Sequence, residues 1–335
     1  MMLSSTSTEL SDGMATRPAK LSYLWDLCCL CSIVGIWPRF IEPKLLMSNM
    51  VTLKIKGFPK ELSGLRILHF SDLHLHPGVS DRFLAKICAK AALCAPDIVA
   101  FTGDFLCRGA LLEPERLRSF LNAFPQGRYG NFAVVGNHDY DPPVTLSPEG
   151  IYQIQRQSRS HLRQATKILL GRSKTPCGMA LEVQKPQIHK GLLQILADSP
   201  FQLLHNETRQ VQAGEGAINL CGLGEYSAGR CDPLSAFSSY DTSLPGLILT
   251  HHPDSVSLLN GYPGHVILAG HTHGPQVNLP LLGKKLSPME HSQYRKGMVR
   301  LTDKWLYVTR GVGSLFPFRF FSPPELLCLT LNSSV

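Results

Sequence analysis

The chain has 335 residues, 44% of them hydrophobic and 17% charged, a composition that excludes a largely disordered protein and allows one large core or two ordinary ones. Charged residues fall short of the roughly 25% of an average soluble protein, and mean hydropathy is +0.00, so some apolar surface is expected to face lipid or a greasy ligand. Thirty-three Lys and Arg against 25 Asp and Glu give a net charge of +8, which suits a phosphorylated substrate, an anionic membrane or a nucleic acid without choosing among them.

Residues 1–20 are rich in Ser and Thr without periodicity and read as a mobile tail. From Leu21 to Trp37 the chain turns apolar, but Asp26 interrupts the run, and the remainder is shorter than the roughly 20 residues a spanning helix needs. Arg17 and Lys20 precede it, Arg39 and Lys44 follow, and no small-residue cleavage site ends it. Residues 21–48 are therefore expected to lie on the cytoplasmic face of a membrane without crossing it, a core helix packed on the body being the alternative. Residues 49–335 make up the remaining domain. Ten cysteines without knuckle spacing, several inside apolar runs, fit a reducing compartment better than zinc fingers or a disulfide framework.

Leu65 to Phe70, Asp97 to Thr102, Asn131 to Val135, Ala217 to Leu223, Gly246 to Thr250 and His265 to Ala269 read as buried strands, and Ser80 as the cap of a helix to Cys94. Polar residues begin where these strands end, on the carboxyl edge that carries the sites of open α/β sheets. The stretch 141–190 breaks the rhythm with an excess of Arg and Lys. A helix over 148–170 would put Ile151, Ile154, Leu162, Ala165 and Leu169 on one side and Arg156, Arg159, Arg163 and Lys167 on another. This basic amphipathic insert is a candidate substrate lid, an ordinary surface hairpin being the alternative. Near the end of the chain, Phe316, Phe318 and Phe320 would share one face of an extended segment, with packing expected for two of the three.

Five clusters share one chemistry: Ser71-Asp72-Leu73-His74, Gly103-Asp104, Gly136-Asn137-His138-Asp139, His251-His252-Pro253 and Gly270-His271-Thr272-His273. Singly, a loop Asp is more often a turn or cap and a lone His merely hydrogen-bonded. In this order, after apolar strands, they read as a mixed carboxylate, imidazole and amide donor set. Such a set suits Mn²⁺, the expected ion, or Mg²⁺, Fe or Zn²⁺, and the absence of Cys disfavours a structural zinc site. One carboxylate can bridge two divalent metal ions, which together activate a water and neutralise a phosphoryl group.

At these residues the chain resembles the calcineurin-like metallophosphoesterase superfamily, whose pattern runs D-x-H, GD, GNHD, H and GHxH. The resemblance implies an α/β fold, a four-layer αββα sandwich of two mixed β-sheets with both metals at the sheets' loop edge. Carried over position by position, it implies Asp72, His74 and His273 on one metal, Asn137, His251 and His271 on the other, and Asp104 between them. His138 would be the acid that does not bind metal, with Asp139 orienting it through the other ring nitrogen. The family's H-x-P pattern selects His251 and leaves His252 a structural neighbour.

Ile41-Glu42-Pro43, Arg310-Gly311-Val312-Gly313, Arg319, Pro324 and Glu325 resemble the membrane-associated YkuE-type branch of that superfamily, although Pro275 stands where a second glycine is usual. One class in that branch splits UDP-2,3-diacylglucosamine into UMP and a lipid 1-phosphate in lipid A synthesis. The resemblance implies that activity, an anionic lipid-linked substrate met by Arg156, Arg159 and Arg163, and a place on the cytoplasmic face of the inner membrane. Hydrolysis of another phosphate ester is the alternative, and a catalytically silent membrane adaptor is the rival of a different class. No nucleic-acid partner is expected, because basic and aromatic residues do not interleave as a stacking platform would need.

Overall fold

Side chains alternate between the two faces of a strand, so a strand buried on both sides reads as a continuous apolar run. The central strands of this protein are of that kind. The computed structural model describes residues 27–146, 152–154, 186–278 and 289–334. Its strands are β1 (Met47–Lys56), β2 (Leu65–Phe70), β3 (Ile98–Thr102), β4 (Asn131–Val134), the short β5 (Tyr140–Asp141), β6 (Val144–Leu146), β7 (Tyr152–Ile154) and β8 (Gln187–Ile188), then β9 (Phe201–Leu203), β10 (Glu207–Ala213), β11 (Gly216–Gly222), β12 (Gly246–Leu249), β13 (Val266–Ala269), β14 (Gly297–Arg300), β15 (Trp305–Val308) and β16 (Glu325–Ser334). The expected strands appear within one or two residues of their predicted ends. The expected helix runs Asp81–Leu93, and the Ser80 side chain accepts a hydrogen bond from the Phe83 N–H.

Two six-stranded mixed sheets result, ordered β1-β16-β2-β3-β4-β9 and β10-β11-β12-β13-β15-β14. In the first, β2, β3, β4 and β9 run parallel and β16 lies antiparallel to β2. In the second, β11, β12, β13 and β15 run parallel between the antiparallel edges β10 and β14. Ile67, Ala100 and Phe132 of one sheet meet Leu220, Leu247 and Leu268 of the other in a shared core. Their sequence neighbours point outward. Leu68, Phe70 and Phe101 pack with residues of helices Asp81–Leu93, Pro114–Ala123 and Lys190–Ala197. Ile248, Ile267 and Val308 form the second outer core with Ala236 and Leu259. Helix, sheet, sheet and helix therefore stack as the expected four-layer sandwich.

Over residues 27–41 the N-terminal segment turns most of its apolar side chains away from the body. Residues 27–31 are α-helical, Ser32–Ile41 continues in wide π-type turns around Pro38, and Glu42–Lys44 closes with a 3₁₀ turn. Leu27, Leu30, Ile33, Val34, Trp37 and Phe40 are exposed, whereas Pro38 and Glu42 are buried. No helix among the described residues is long and apolar enough to cross a membrane.

Two expectations need correction. Residues 152–154, expected to begin a helix, instead form β7, paired antiparallel with β6. A short apolar run carries too few positions to separate the two periods, and the Tyr152 hydroxyl is drawn into a buried hydrogen bond with His252 Nε2 at 2.8 Å. Arg156, Arg159 and Arg163 lie outside the described residues. The Phe316–Phe320 alternation also fails, because the Phe318 N–H turns back to the Phe316 carbonyl. Phe320 is buried, Phe318 half-buried and Phe316 exposed.

Candidate metal centre

Every residue of the five clusters follows a parallel strand. Asp72 and His74 follow β2, Asp104 follows β3, and Asn137 and His138 follow β4, while His251 follows β12 and His271 and His273 follow β13. The two sheets thus bring their carboxyl edges together around one point. The turns that do this are tight. Asp72, His74, Asp104, His271 and His273 all have positive φ, between 45° and 71°, a region that costs a residue with a side chain of order 1–3 kcal/mol. Close approach also fixes Gly136, where a Cβ would sit 2.3 Å from Asp104 Oδ1.

The side chains converge through their donor atoms. Asp104 Oδ2 lies 3.4 Å from His74 Nε2 and 3.2 Å from His251 Nε2. His74 Nε2 is 3.1 Å from His273 Nε2, and His273 Nε2 is 3.5 Å from Asp72 Oδ1. On the other side, Asn137 Oδ1 stands 3.2 Å from His251 Nε2 and 3.0 Å from His271 Nδ1. Asn137 is turned that way because its amide N–H donates to the Val144 carbonyl at 2.9 Å.

Backbone carbonyls fix the histidine tautomers. His74 Nδ1 is 3.1 Å from the Leu106 carbonyl and His251 Nδ1 is 2.7 Å from the Thr102 carbonyl. A carbonyl only accepts, so both rings carry a proton on Nδ1 and turn Nε2 inward. Imidazole nitrogens 3.1–3.2 Å apart with the outer nitrogen tied down are the arrangement that metal-ligating histidines show. The donor set therefore fits divalent ions. Among the described residues, three groups have ligand atoms within 4.8 Å of one another: Asp72, His74 and His273; Asp72, Asp104 and His251; and His74, Asp104 and His138.

Burial drives His74 down to about 3 and His271 and His273 well below the usual imidazole range, leaving the neutral form that can ligate. Burial opposes ionisation of Asp104, yet His251, His138 and His74 hold it well below the usual carboxylate range. Asp72, with burial and Asp104 both against it, rises to about 7. His251 goes the other way. Burial would lower it, but Asp104 raises it to about 10. Such a concentration of buried, opposed groups marks a functional site more often than a structural one.

His138 and Asp139 depart from the expected pairing. Both Asp139 oxygens are engaged by backbone, accepting from the N–H groups of Asp104 at 2.8 Å, Gly136 at 2.9 Å and Leu106 at 2.9 Å. Asp139 braces the loops that carry Asp104 and Asn137, and its oxygens are spent there rather than on the His138 ring. The His138 Nδ1 is buried without a hydrogen-bond partner, while its backbone N–H donates to Asp104 Oδ1 at 2.9 Å. His252 is wholly buried. Its Nδ1 accepts from the Asp254 N–H at 3.2 Å, and its ring packs 4.1 Å from that of His271.

Several supporting groups were beyond sequence reasoning. The Leu106 and Thr102 carbonyls leave no side-chain signal. Tyr152 gave none that tied it to His252. Arg319 is fully buried, with its guanidinium 3.3 Å from His273 Nδ1. The sequence singles out Arg319 through the YkuE-type resemblance, but without tying it to His273.

Comparison with known proteins places these features in context. The family model for calcineurin-like phosphoesterases matches residues 65–275. The chain is 38% identical over 310 residues to UDP-2,3-diacylglucosamine pyrophosphatase LpxG of Chlamydia trachomatis, covering 89% of this chain and 92% of that protein. Identity is also 38% over 307 residues to the LpxG of Chlamydia muridarum, covering 88% and 92%. Phosphodiesterase YaeI of Escherichia coli is 26% identical over 283 residues, covering 84% and 88%.

Proposed function

The chain belongs to the calcineurin-like phosphoesterase family and is a hydrolase, and from that premise we propose that it uses two divalent metal ions to hydrolyse UDP-2,3-diacylglucosamine at the inner face of a membrane. Water would add across the pyrophosphate, giving UMP and 2,3-diacylglucosamine 1-phosphate. The observation that carries the metal reading is the pair of inward Nε2 atoms of His74 and His251, on either side of Asp104 Oδ2. Asp72, His74 and His273 would hold one ion, Asn137, His251 and His271 the other, and Asp104 would touch both. Manganese is the expected ion, with Mg²⁺, Fe or Zn²⁺ as alternatives. When bound, such ions supply an activated water and charge neutralisation at the phosphoryl oxygens.

The chain's own residues supply the rest. His138 is buried beside His74, with ring centroids 5.1 Å apart, at the rim of the same donor set. It would give a proton to the leaving phosphate oxygen. The lipid-linked substrate is supported by 38% identity across most of the chain to the named pyrophosphatases. Membrane association is supported by the exposed Leu30, Ile33, Trp37 and Phe40, with Arg39 and Lys44 beside them to meet anionic headgroups. The basic insert with Arg156, Arg159 and Arg163 would cover the bound lipid.

The test is a product-release assay with Mn²⁺, comparing UDP-2,3-diacylglucosamine with bis(p-nitrophenyl) phosphate and a phosphopeptide. UMP release well above turnover of the other two is expected. Equal or better turnover of the generic esters would reject the lipid substrate while leaving the phosphoesterase activity in place.

A further inference from the structure

The exposed apolar segment and the metal centre are joined by a short chain of buried hydrogen bonds. Trp37 Nε1, on the exposed helix, donates to Glu42 Oε2 at 2.8 Å. The other oxygen of Glu42 accepts from the Ser322 N–H. Ser322 Oγ in turn donates to the carbonyl of His273 at 2.7 Å and to that of Gly274 at 3.1 Å. A second strand of the same web runs through Arg319. Its N–H donates to the Pro38 carbonyl at 2.8 Å, and its guanidinium donates to the carbonyls of Ser322 at 2.8 Å, Arg310 at 2.9 Å and Gly313, with Nη2 at 3.3 Å from His273 Nδ1.

Glu42 is 3% exposed and Arg319 wholly buried. A buried carboxylate or guanidinium carries a desolvation cost that only specific partners offset. Here the partners are the loop that bears His273 and the segment that bears the exposed apolar face. His273 also needs support of this kind, because its backbone sits at φ 52°, a conformation that persists only where the surroundings over-determine it.

We infer that Glu42 is a positioning residue for His273, acting through Ser322 and the Arg319 segment, so that the apolar N-terminal segment forms part of the metal centre's support. The inference rests on the two-metal reading above. It assigns the segment a role besides meeting lipid: disturbing it reaches the ion held by Asp72, His74 and His273 and spares the one held by Asn137, His251 and His271.

The experiment is a calorimetric titration of the full-length chain with Mn²⁺ alone, repeated for Glu42→Ala and Glu42→Gln, with circular dichroism and thermal melting to check folding. Wild type is expected to bind two equivalents. Glu42→Ala should weaken one of them by about 10–100-fold, the usual scale for loss of an outer-shell partner, and leave the other near its wild-type affinity. Glu42→Gln keeps one acceptor oxygen and should recover part of the loss. Should Glu42→Ala fail to fold, Ser322→Ala removes only the hydroxyl contacts to the His273 and Gly274 carbonyls and should show the same one-sided weakening. Two unchanged affinities, or an equal fall at both, in a folded variant would overturn the inference. A wild-type chain that binds no Mn²⁺ would instead reject the metal reading and the inference with it.

Discussion

Asp104 Oδ2 stands 3.2 Å from His251 Nε2 while the same oxygen is 3.4 Å from His74 Nε2, so one atom of the first sheet's loops touches ligands contributed by both sheets. Replacing it should disturb both ion sites. Asp104→Asn is expected to reduce metal content below two equivalents and to lower kcat/KM by more than the roughly 10–100-fold that outer-shell changes bring. Inductively coupled plasma analysis beside initial-rate kinetics checks this. A variant that keeps two equivalents and wild-type turnover would exclude a bridging role.

His138 lies close enough to His74 and Asp104 to be counted among their possible ligand atoms, yet its backbone position follows Asn137 rather than replacing it. His138→Ala is expected to keep both metal equivalents and to lose roughly 10²–10⁴ in kcat, the scale of a positioned acid. Loss of an ion in that variant would make His138 a ligand.

Glu225, which is not one of the proposed ligands, supplies a pH signature. It is fully buried, with Oε2 accepting from Ser227 Oγ and the Ala228 N–H and Oε1 without a partner. Burial raises its pKa from 4.5 to about 7. A group that holds its proton more tightly when folded contributes stability fully below its unfolded pKa, and that contribution is lost as pH rises through the folded value. Wild-type stability should therefore decline between about pH 4.5 and 7 by roughly 3 kcal/mol from this group. Glu225→Gln cannot titrate. Melting curves at pH 5 and pH 8 should differ less for Glu225→Gln than for wild type, and an identical pH dependence would remove Glu225 from the account.

For the exposed apolar segment, Ile33→Ser combined with Phe40→Ser should weaken binding to phosphatidylglycerol-containing vesicles by at least about tenfold, since each buried side chain of this size is worth roughly 1.5–3 kcal/mol. Wild-type binding should also fall with added salt and with neutral vesicles. Sedimentation unchanged by the double substitution would place lipid contact elsewhere.

The insert is tested by a ratio. Charge reversal at Arg156, Arg159 and Arg163 is expected to reduce turnover of UDP-2,3-diacylglucosamine while leaving a small chromogenic diester nearly unchanged, because remote contacts act on the part of the substrate that the metals do not see. An unchanged ratio would return the insert to an ordinary surface hairpin.

What could be read from residue order follows a physical line. Asp72, His74, Asp104, His251, His271 and His273 were legible because each sits within a few residues of an apolar strand end, and the strand fixes where the loop points. Gly136 and its neighbours carried the same information through close approach. The carbonyls of Thr102 and Leu106, which set the tautomers of His251 and His74, have no side-chain identity to read. Glu42 and Ser322 are 280 positions apart, a distance over which no local pattern reports a contact. For Tyr152, the three residues of β7 are too few to outweigh the longer cationic period that follows them in the sequence, and its tie to His252 depends on tertiary packing. Asp139 was expected to reach the adjacent ring, but backbone N–H groups with no other acceptor claimed it first.

The place of β16 between β1 and β2 bears on how the protein is made. Strands β1 and β2 precede the others, yet β1 is joined to the sheet only through β16, which follows every other described strand of both sheets. The loop carrying Asp72 and His74 leaves β2, and the segment carrying Arg319 and Ser322 immediately precedes β16. A nascent chain would thus expose most of the candidate metal-ligating side chains before the sheet that organises them is closed. Assembly of the donor set therefore becomes a late event, one that waits on the arrival of β16.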